Sequence, residues 1–394
     1  MAKYLKLFET HAEYEQYVSG DFEKPNVSHC VQEDDVHYNP MPHDYSKDYL
    51  TFVALESGTF TFTPKKNNII SYSTDDGETW TEGNSVSVSN GDKVMWKGTM
   101  TPSSTGIGNF GSTAEFDVQG NVMSLLYGDG FKNQTVLTGK NYTFYNLFKN
   151  NTKVVNVENL SLPATTLASS CYSNMFNGCT SLTTAPELPA ETLATYCYQY
   201  MFNGCTSLVT APALPAETLV DYCYQSMFSG CTSLTTTPEL PATTLAEYCY
   251  QFMFRGCANL TTAPELPAET LASGCYGNMF GNCTRLTSAP ELPATTLESS
   301  CYSYMFYGCT SLTTAPELPA TTLASGCYGN MFQGCSNLNY IKAMFTTAPS
   351  STYTSNWVSG VASSGIFVKN SAAQWDVSGV HGVPTGWTVQ TASE

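Results

Sequence analysis

The stretch LPATTLASSCYSNMFNGCTSLTTAPE, residues 162–187, decides the fold of this chain because its pattern returns at a constant interval of 26 residues. Its first cysteine, Cys171, has counterparts at 197, 223, 249, 275, 301 and 327, with no insertion or deletion between them. Self-similarity at a fixed period of this length indicates stacked repeats. A degraded copy with Asn151 in place of a cysteine precedes the first repeat, and a fading copy ends near 345. Atypical end repeats are expected to cap a core, so the sequence predicts a solenoid of seven regular rungs.

Each rung is expected to hold one short strand and an invariant set of core residues. The segment SLTTA at 181–185 is the candidate strand, and Pro186 and Pro189 end it because proline cannot donate to a sheet ladder. Rungs would then stack about 4.8 Å apart, so that each position of the repeat becomes a column along the solenoid. Met175, Phe176 and Leu182 are identical in all seven copies, which predicts that their columns form the core.

Fourteen of the fifteen cysteines lie on this grid in two columns. Stacked rungs would point these side chains in parallel, which disfavours disulfides, and seven residues in a column cannot all pair. Structural zinc usually takes closely spaced cysteine pairs or histidine partners, and no histidine occurs between 44 and 380. The cysteines are therefore predicted to be buried free thiols that serve as small hydrophobic residues.

The whole chain is predicted to be a multidomain, mainly β protein. Residues 1–46 form a small α+β module, 47–130 a β-sandwich, 131–345 the repeat solenoid, and 346–394 a C-terminal cap. Alternating or β-branched segments such as YLTFVAL and TFTFTP, separated by glycine and asparagine turns, favour the sandwich. Trp80 and Trp96 are the expected anchors of its core.

No enzymatic activity, cofactor or metal is predicted from the motifs. GIGNFG at 106–111 matches a dinucleotide-binding pattern, but it follows a Ser/Thr loop and opens no predicted helix, so a glycine-rich turn is the better interpretation. Histidines in the first module suggest a weak metal hypothesis, to which surface or packing roles are preferred: His11, His29, His37 and His43, with Cys30 beside His29. Two acidic columns could share calcium, although a solvated polar edge is favoured over it: Glu187, Glu239, Glu265, Glu291 and Glu317, then Glu191, Glu217 and Glu269.

Charge and hydropathy exclude further classes of partner. The formal net charge of −17 makes nucleic acid and anionic membranes poor partners. No stretch approaches the roughly 18 consecutive apolar residues of a membrane span, so no membrane insertion is expected. The opening residues have no apolar h-region, which predicts synthesis without a cleavable signal peptide.

The columns that vary between rungs form the candidate contact surface. Aromatic residues are concentrated there: Tyr196, Tyr200, Tyr222, Tyr248, Phe252, Tyr304 and Tyr307. Exposed aromatic side chains can anchor a protein partner or stack on sugar rings. Tyrosine as ordinary surface filler in a chain with only 12% charged residues is the alternative.

The order C-Y-x-x-M-F-x-G-C-T-S-L resembles the core pattern of BspA-type leucine-rich repeats, over about residues 144–345. Such repeats are abundant in surface proteins of gut Bacteroidales. The chain departs from that pattern by placing Cys171 and its copies where isoleucine is usual, and Met175 and its copies where alanine is usual. The resemblance implies a leucine-rich-repeat solenoid, and the departures concern packing alone.

The N-terminal segment YLKLFETHAEYEQYVSG…PNVSHCVQEDDVHYNP is similar to the opening of structural proteins of crAss-like phages, head fibres and appendages among them. This resemblance implies a virion protein on the particle exterior, made in the host cytoplasm, that docks on capsid or other virion proteins through residues 1–46. The candidate docking residues are Tyr4, Leu5, Leu7, Phe8, Tyr14, Tyr17, His37 and Tyr38. It also implies contact with a host surface or glycan, and a homotrimer is common among such fibres. A bacterial surface or secreted adhesin with the same repeats is the alternative.

Overall fold

A computed structural model describes residues 44–392 of the chain. The chain divides into two units, Met1–Tyr45 and Ser46–Glu394, and the architecture below is that of the second. The N-terminal module, its docking residues and the candidate metal group around His29 lie outside the described residues, except for the last residues of the module.

Strands dominate the described part of the chain, which holds one α-helix of four residues, α1 (Ser124–Tyr127), and short 3-10 turns at Tyr45–Lys47 and Gly128–Gly130. The strands are β1 (Leu50–Ala54), β2 (Gly58–Pro64), β3 (Ile70–Ser73), β4 (Thr81–Glu82), β5 (Ser85–Val88), β6 (Lys93–Gly98), β7 (Gly108–Ser112), β8 (Phe116–Asn121), β9 (Val154–Asn156), β10 (Leu160–Ser161), β11 (Tyr340–Ala343), β12 (Ile366–Lys369) and β13 (Thr388–Thr391).

The first eight strands build two sheets, in the orders β8-β1-β6-β3-β4 and β5-β2-β7. Alternating residues of both sheets point inward, and Phe52, Phe110 and Trp96 are fully buried between them. The prediction for Trp96 is confirmed, whereas that for Trp80 is wrong. Trp80 is half-buried at the surface, where the Lys97 ammonium lies 4.0 Å from the centre of its ring. The glycine-rich pattern at 106–111 falls largely in β7 and opens no helix.

The hydrophobic core of the sandwich is continuous with the core of the repeats. β9 and β10, from the degraded copy ahead of the first regular rung, pair in parallel with β8. The Phe110 ring of the sandwich lies 5.5 Å from that of Phe148, which lies 5.3 Å from that of Phe176 in the first rung. The position 130/131, where the sequence divides sandwich from solenoid, therefore lies inside a single packed body.

Successive repeats are stacked through backbone hydrogen bonds, and those between the turns at 168–179 and their copies run from each rung to the next. In the first rung Tyr172 N–H donates to Cys197 O at 3.0 Å and Phe176 N–H donates to Met201 O at 2.9 Å, each in the next rung. Asn174 N–H also donates forward, to Gln199 O at 2.9 Å, whereas the alternate residues donate within their own rung, as Met175 N–H does to Tyr172 O at 3.1 Å. Each turn thus directs its carbonyls toward the preceding rung and its N–H groups toward the following one, whereas the segment after the turn has the opposite direction, as Thr235 N–H donates to Val209 O at 3.1 Å.

The strand predicted at 181–185 is reduced to isolated single-residue bridges, such as Thr210 to Thr236 and Thr262 to Ser288. Proline on the C-terminal side removes the next donors, so pairing cannot extend into a regular strand. Most of the rung-to-rung hydrogen bonds instead come from the turns at 168–179 and their copies.

The core of the stack is a set of continuous columns. The predicted columns of Met175, Phe176 and Leu182 are fully buried in all seven copies, which confirms them. A column headed by Tyr172 is equally buried, with consecutive ring centres 5.7–5.9 Å apart and nearly parallel planes. The hydroxyl groups of Tyr172, Tyr224 and Tyr302 are buried without a hydrogen-bond partner.

The two ends of the stack are capped by opposite kinds of hydrogen-bonding group. At the start Phe110 N–H of the sandwich donates to the carbonyl of Leu147 at 2.8 Å. At the end the loop before β13 supplies acceptors: His381 Nδ1 accepts from Asn356 N–H at 3.2 Å, and Gly382 O accepts from Trp357 Nε1 at 3.0 Å. A sandwich donor therefore meets an outward carbonyl at one end of the turns, and acceptors meet the Asn356 backbone N–H and the Trp357 indole N–H at the other.

Candidate contact face

The outward side of the turns forms a face that we call the contact face, made of positions 169, 170, 173, 174 and 177 of the first rung and their copies. It exists because positions 171, 172, 175 and 176 point into the core, so most of the residues between them are half-buried or exposed, while some small ones, such as Ser173 and Ser226, are buried. All seven aromatic residues selected from the sequence lie on it. Six are half-buried, and Tyr304 is 40% exposed.

The backbone of this face is left-handed at two of its columns. Six of the seven candidate residues have φ between 54° and 61°: Tyr196, Tyr200, Tyr222, Tyr248, Phe252 and Tyr304. Elsewhere the same columns hold residues suited to that conformation, such as Gly274 and Asn278. A bulky residue at positive φ is an outlier that costs about 1–2 kcal/mol. Aromatic residues at these positions therefore need a compensating role, which ordinary surface filling does not supply.

Three of the tyrosines stack on one another, and this stacking compensates for the cost of their left-handed backbone. The rings of Tyr196 and Tyr222 stack with centres 4.7 Å apart, and those of Tyr222 and Tyr248 with centres 5.0 Å apart. The Tyr248 ring then covers Gly274, where an added Cβ would lie 2.3 Å from Cε1 of the ring. Both faces of Tyr222 are thus occupied, so the sugar stacking considered from the sequence is closed to this ring. We call these three residues the tyrosine ladder.

Partial burial and charge act on the tyrosine ladder together. The pKa of Tyr222 is raised, first by desolvation and then by its neighbours Tyr196 and Tyr248, with smaller contributions from Glu247 and Asp221. Tyr222 therefore presents its ring edge and a neutral hydroxyl group, which can donate and accept hydrogen bonds.

A second ladder runs beside the first on the same three rungs. Gln199 Nε2 donates to Gln225 Oε1 at 2.5 Å, and Gln225 Nε2 donates to Gln251 Oε1 at 2.6 Å. Sequence reasoning missed it, although identical glutamines at an interval of 26 were the available signal. The paired amides hold these rungs in register and fix the positions of the glutamine side chains on the contact face.

The remaining aromatic column is built differently. Tyr200, Phe252 and Tyr304 occupy alternate rungs of one column, and small residues separate them at Ser226 and Asn278. Among the described residues no ring of a neighbouring rung stacks on these three. Their contacts come from the same rung: Tyr304 lies 5.9 Å from Tyr307, and Phe252 lies under Arg255 at 5.8 Å.

Comparison with known proteins agrees with this architecture. A family model for the BspA type leucine-rich repeat region matches residues 140–287 and 275–356 in six copies, which together cover more than half of the chain. The chain belongs to the BspA-type leucine-rich repeat family. No curated protein and no solved structure matches it.

The fourteen cysteines of the BspA-type repeats are buried free thiols. Those of the second column also donate a hydrogen bond to the preceding rung, as Cys231 Sγ does to Phe202 O at 3.1 Å. Desolvation raises the pKa of Cys231 to about 12, and the same cause raises the pKa of the others. A thiol that stays protonated is a poor nucleophile and metal ligand, so these residues stabilise the stack rather than carry chemistry.

The acidic columns of the BspA-type repeats lie on another edge and are exposed, and Glu317 forms an ion pair with Lys342 at 2.9 Å. Within residues 44–392, no three His, Cys, Asp or Glu side chains are grouped so as to hold a metal ion. No helix in this described part is long and apolar enough to cross a membrane.

Proposed function

We propose that this protein is a non-enzymatic structural protein that uses the contact face of its BspA-type repeats to bind another surface. Repeats of this type suggest a surface or adhesion-type protein. The observation that carries the proposal is the placement of bulky aromatic residues at left-handed positions of one face. The same columns accept glycine, serine and asparagine in other rungs, so the aromatic residues are not required by the fold.

The finer form of the proposal is a phage head fibre or capsid decoration that projects the repeats outward from the particle. It is supported by the resemblance of the N-terminal segment to structural proteins of crAss-like phages, and residues 1–46 would then dock on the virion. The fourteen free thiols suit a protein that folds in a reducing cytoplasm. Mass spectrometry of purified particles tests this form, because absence of the protein from virions ends it and leaves a bacterial surface adhesin.

Binding of the labelled full chain to bacterial host cells tests the contact face itself. A variant with Tyr196→Ser, Tyr222→Ser and Tyr248→Ser should fold, because serine already occupies this column at Ser170 and Ser300, and it should bind cells less. The matched control replaces Glu239, Glu265 and Glu291, on the other edge, with glutamine and should bind as before. Equal binding by the folded tyrosine variant and the parent chain would show that the tyrosine ladder takes no part.

A further inference from the structure

The contact face has a period of two rungs that the repeats themselves do not require. Tyr200, Phe252 and Tyr304 recur at 52 residues, twice the repeat length, with Ser226 and Asn278 between them. Between 203 and 307 the neighbouring column places Asn203, Arg255 and Tyr307 beside the three rings, and Ser229 and Gly281 beside the small residues that separate them. Two adjacent columns thus form three raised sites separated by two shallow gaps.

Each raised site pairs an aromatic ring with a hydrogen-bonding side chain of the same rung. Asn203 follows Tyr200, Arg255 lies over Phe252, and Tyr307 lies beside Tyr304. Such a pair matches the two kinds of surface on a sugar ring, whose C–H face stacks on an aromatic ring while its hydroxyl groups bond to amide, guanidinium or phenol groups.

The spacing of these sites selects the kind of glycan. Core phenylalanine rings of consecutive rungs are 5.7 Å apart, so sites two rungs apart are separated by roughly 11 Å. In an extended β-1,4-linked chain, sugars of the same orientation recur once per disaccharide, over a similar length. An α-1,4-linked chain coils and cannot present the same face at regular intervals along a straight line.

The negative charge of the repeats favours neutral over acidic glycans. Residues 162–336 carry eleven Asp and Glu against Arg255 and Arg285, a net charge of −9. This field repels uronate or sulfate groups and leaves neutral sugars as the suitable ligand.

We infer that Tyr200, Phe252 and Tyr304 form three subsites for a neutral, extended β-1,4-linked polysaccharide. Each ring stacks on one sugar, and the three stacked sugars are every second sugar of the bound chain. This inference rests on the proposed contact function and names its ligand class. The three sites span five rungs, that is four rung spacings or roughly 23 Å, which corresponds to about five sugars. Affinity should therefore rise from the disaccharide to the pentasaccharide and then level off.

Calorimetry of the full chain with β-1,4-linked gluco-oligosaccharides of two to six sugars tests this inference, with the α-1,4-linked hexasaccharide as the control ligand. The variant Tyr200→Asn, Phe252→Asn and Tyr304→Asn should lose binding by roughly two- to tenfold per ring, the range expected for a stacked aromatic pair. Its melting temperature should not fall, because asparagine is native to this left-handed column at Asn278. Lost binding without lost stability separates a ligand site from a structural one.

Two further variants make the test specific. Glu265→Gln should leave oligosaccharide binding unchanged, because Glu265 is exposed on the acidic edge, away from the contact face. Phe252→Asn combined with Asn278→Tyr keeps three aromatic residues but breaks the two-rung period, so the pentasaccharide should bind at least tenfold more weakly.

The inference is overturned if the α-linked hexasaccharide binds equally well, if affinity does not depend on length, or if the period-breaking variant binds like the parent. A chain that binds host cells through the contact face but no β-1,4-linked oligosaccharide refutes this inference alone. A chain that binds neither refutes the proposed function as well.

Discussion

Replacing Gly274 with alanine should show how tightly the tyrosine ladder is packed. Gly274 has φ +60° and lies under the Tyr248 ring, so that an added Cβ would stand 2.3 Å from Cε1 and 2.5 Å from Cδ1. Gly326, two rungs further along the same column, has φ +62°, and its added Cβ would meet Ser300 Oγ at 3.0 Å. The two glycines thus share a backbone conformation and differ in the ring above them.

The structure gives the expected size of the difference. At either site alanine should cost about 1 kcal/mol of unfolding free energy, since it enters a left-handed conformation that glycine adopts freely. At Gly274 the Tyr248 ring must also move, which sacrifices its stacking on Tyr222 and adds about 0.5–1.5 kcal/mol. We therefore expect a loss of about 2 kcal/mol for Gly274→Ala and about 1 kcal/mol for Gly326→Ala.

Equilibrium unfolding in urea measures both losses, and a double-mutant cycle isolates the ring. In a Tyr248→Ser background the cost of Gly274→Ala should fall to that of Gly326→Ala, because no ring remains above the new methyl group. Equal costs at the two glycines in the parent chain, or an unchanged cost after Tyr248 is removed, would refute the packing described for the ladder.

Three further predictions concern the core. Tyr224→Phe should raise the unfolding free energy by about 1 kcal/mol, because it removes a buried hydroxyl that has no partner, and a lower melting temperature would contradict this. Cys231→Ala should cost about 0.5–1 kcal/mol more unfolding free energy than Cys223→Ala in urea, since of these two residues only Cys231 has a thiol hydrogen bond, at 3.1 Å, to lose. Equal costs would show that this hydrogen bond does not stabilise the stack. The raised pKa of Cys231, about 12 against an ordinary 9.0, stabilises the folded chain below pH 9, and stability should fall as pH rises from 9 toward 12. Circular dichroism across that range checks the sign, and constant stability would contradict it.

The repeat and its core were readable from the sequence because identical residues at a fixed interval leave few alternatives. Met175, Phe176 and Leu182 are buried as predicted, and the family match covers the predicted repeat region. The buried Tyr172 column was equally regular but was missed, since a tyrosine can serve the core or the surface. Trp80 lies just before the edge strand β4, where it packs on Tyr49 and Lys97 instead of entering the core, and local sequence does not specify which strand is at the edge of a sheet.

The contact face was only partly readable. Variation between rungs identified its columns, but the sequence does not distinguish a tyrosine that stacks on a neighbouring ring from one that does not. That Tyr222 is closed to sugar stacking depends on the 4.7–5.0 Å separations between the centres of its ring and the two neighbouring rings. The left-handed backbone had a faint signal in Gly274 and Asn278 at positions that elsewhere hold tyrosine or phenylalanine.

The one-way hydrogen bonds between the turns of successive rungs have a consequence for how such a gene can change. The turn of every interior rung offers N–H groups on one side and carbonyls on the other, so the join made by Tyr198 N–H and Cys223 O equals the join made by Tyr250 N–H and Cys275 O. Recombination between two copies therefore adds or deletes 26 residues without altering what either cap must bond. A single-codon insertion within a rung, by contrast, shifts donors away from acceptors along that whole join. The length of the protein can evolve in steps of one rung while its two ends stay unchanged.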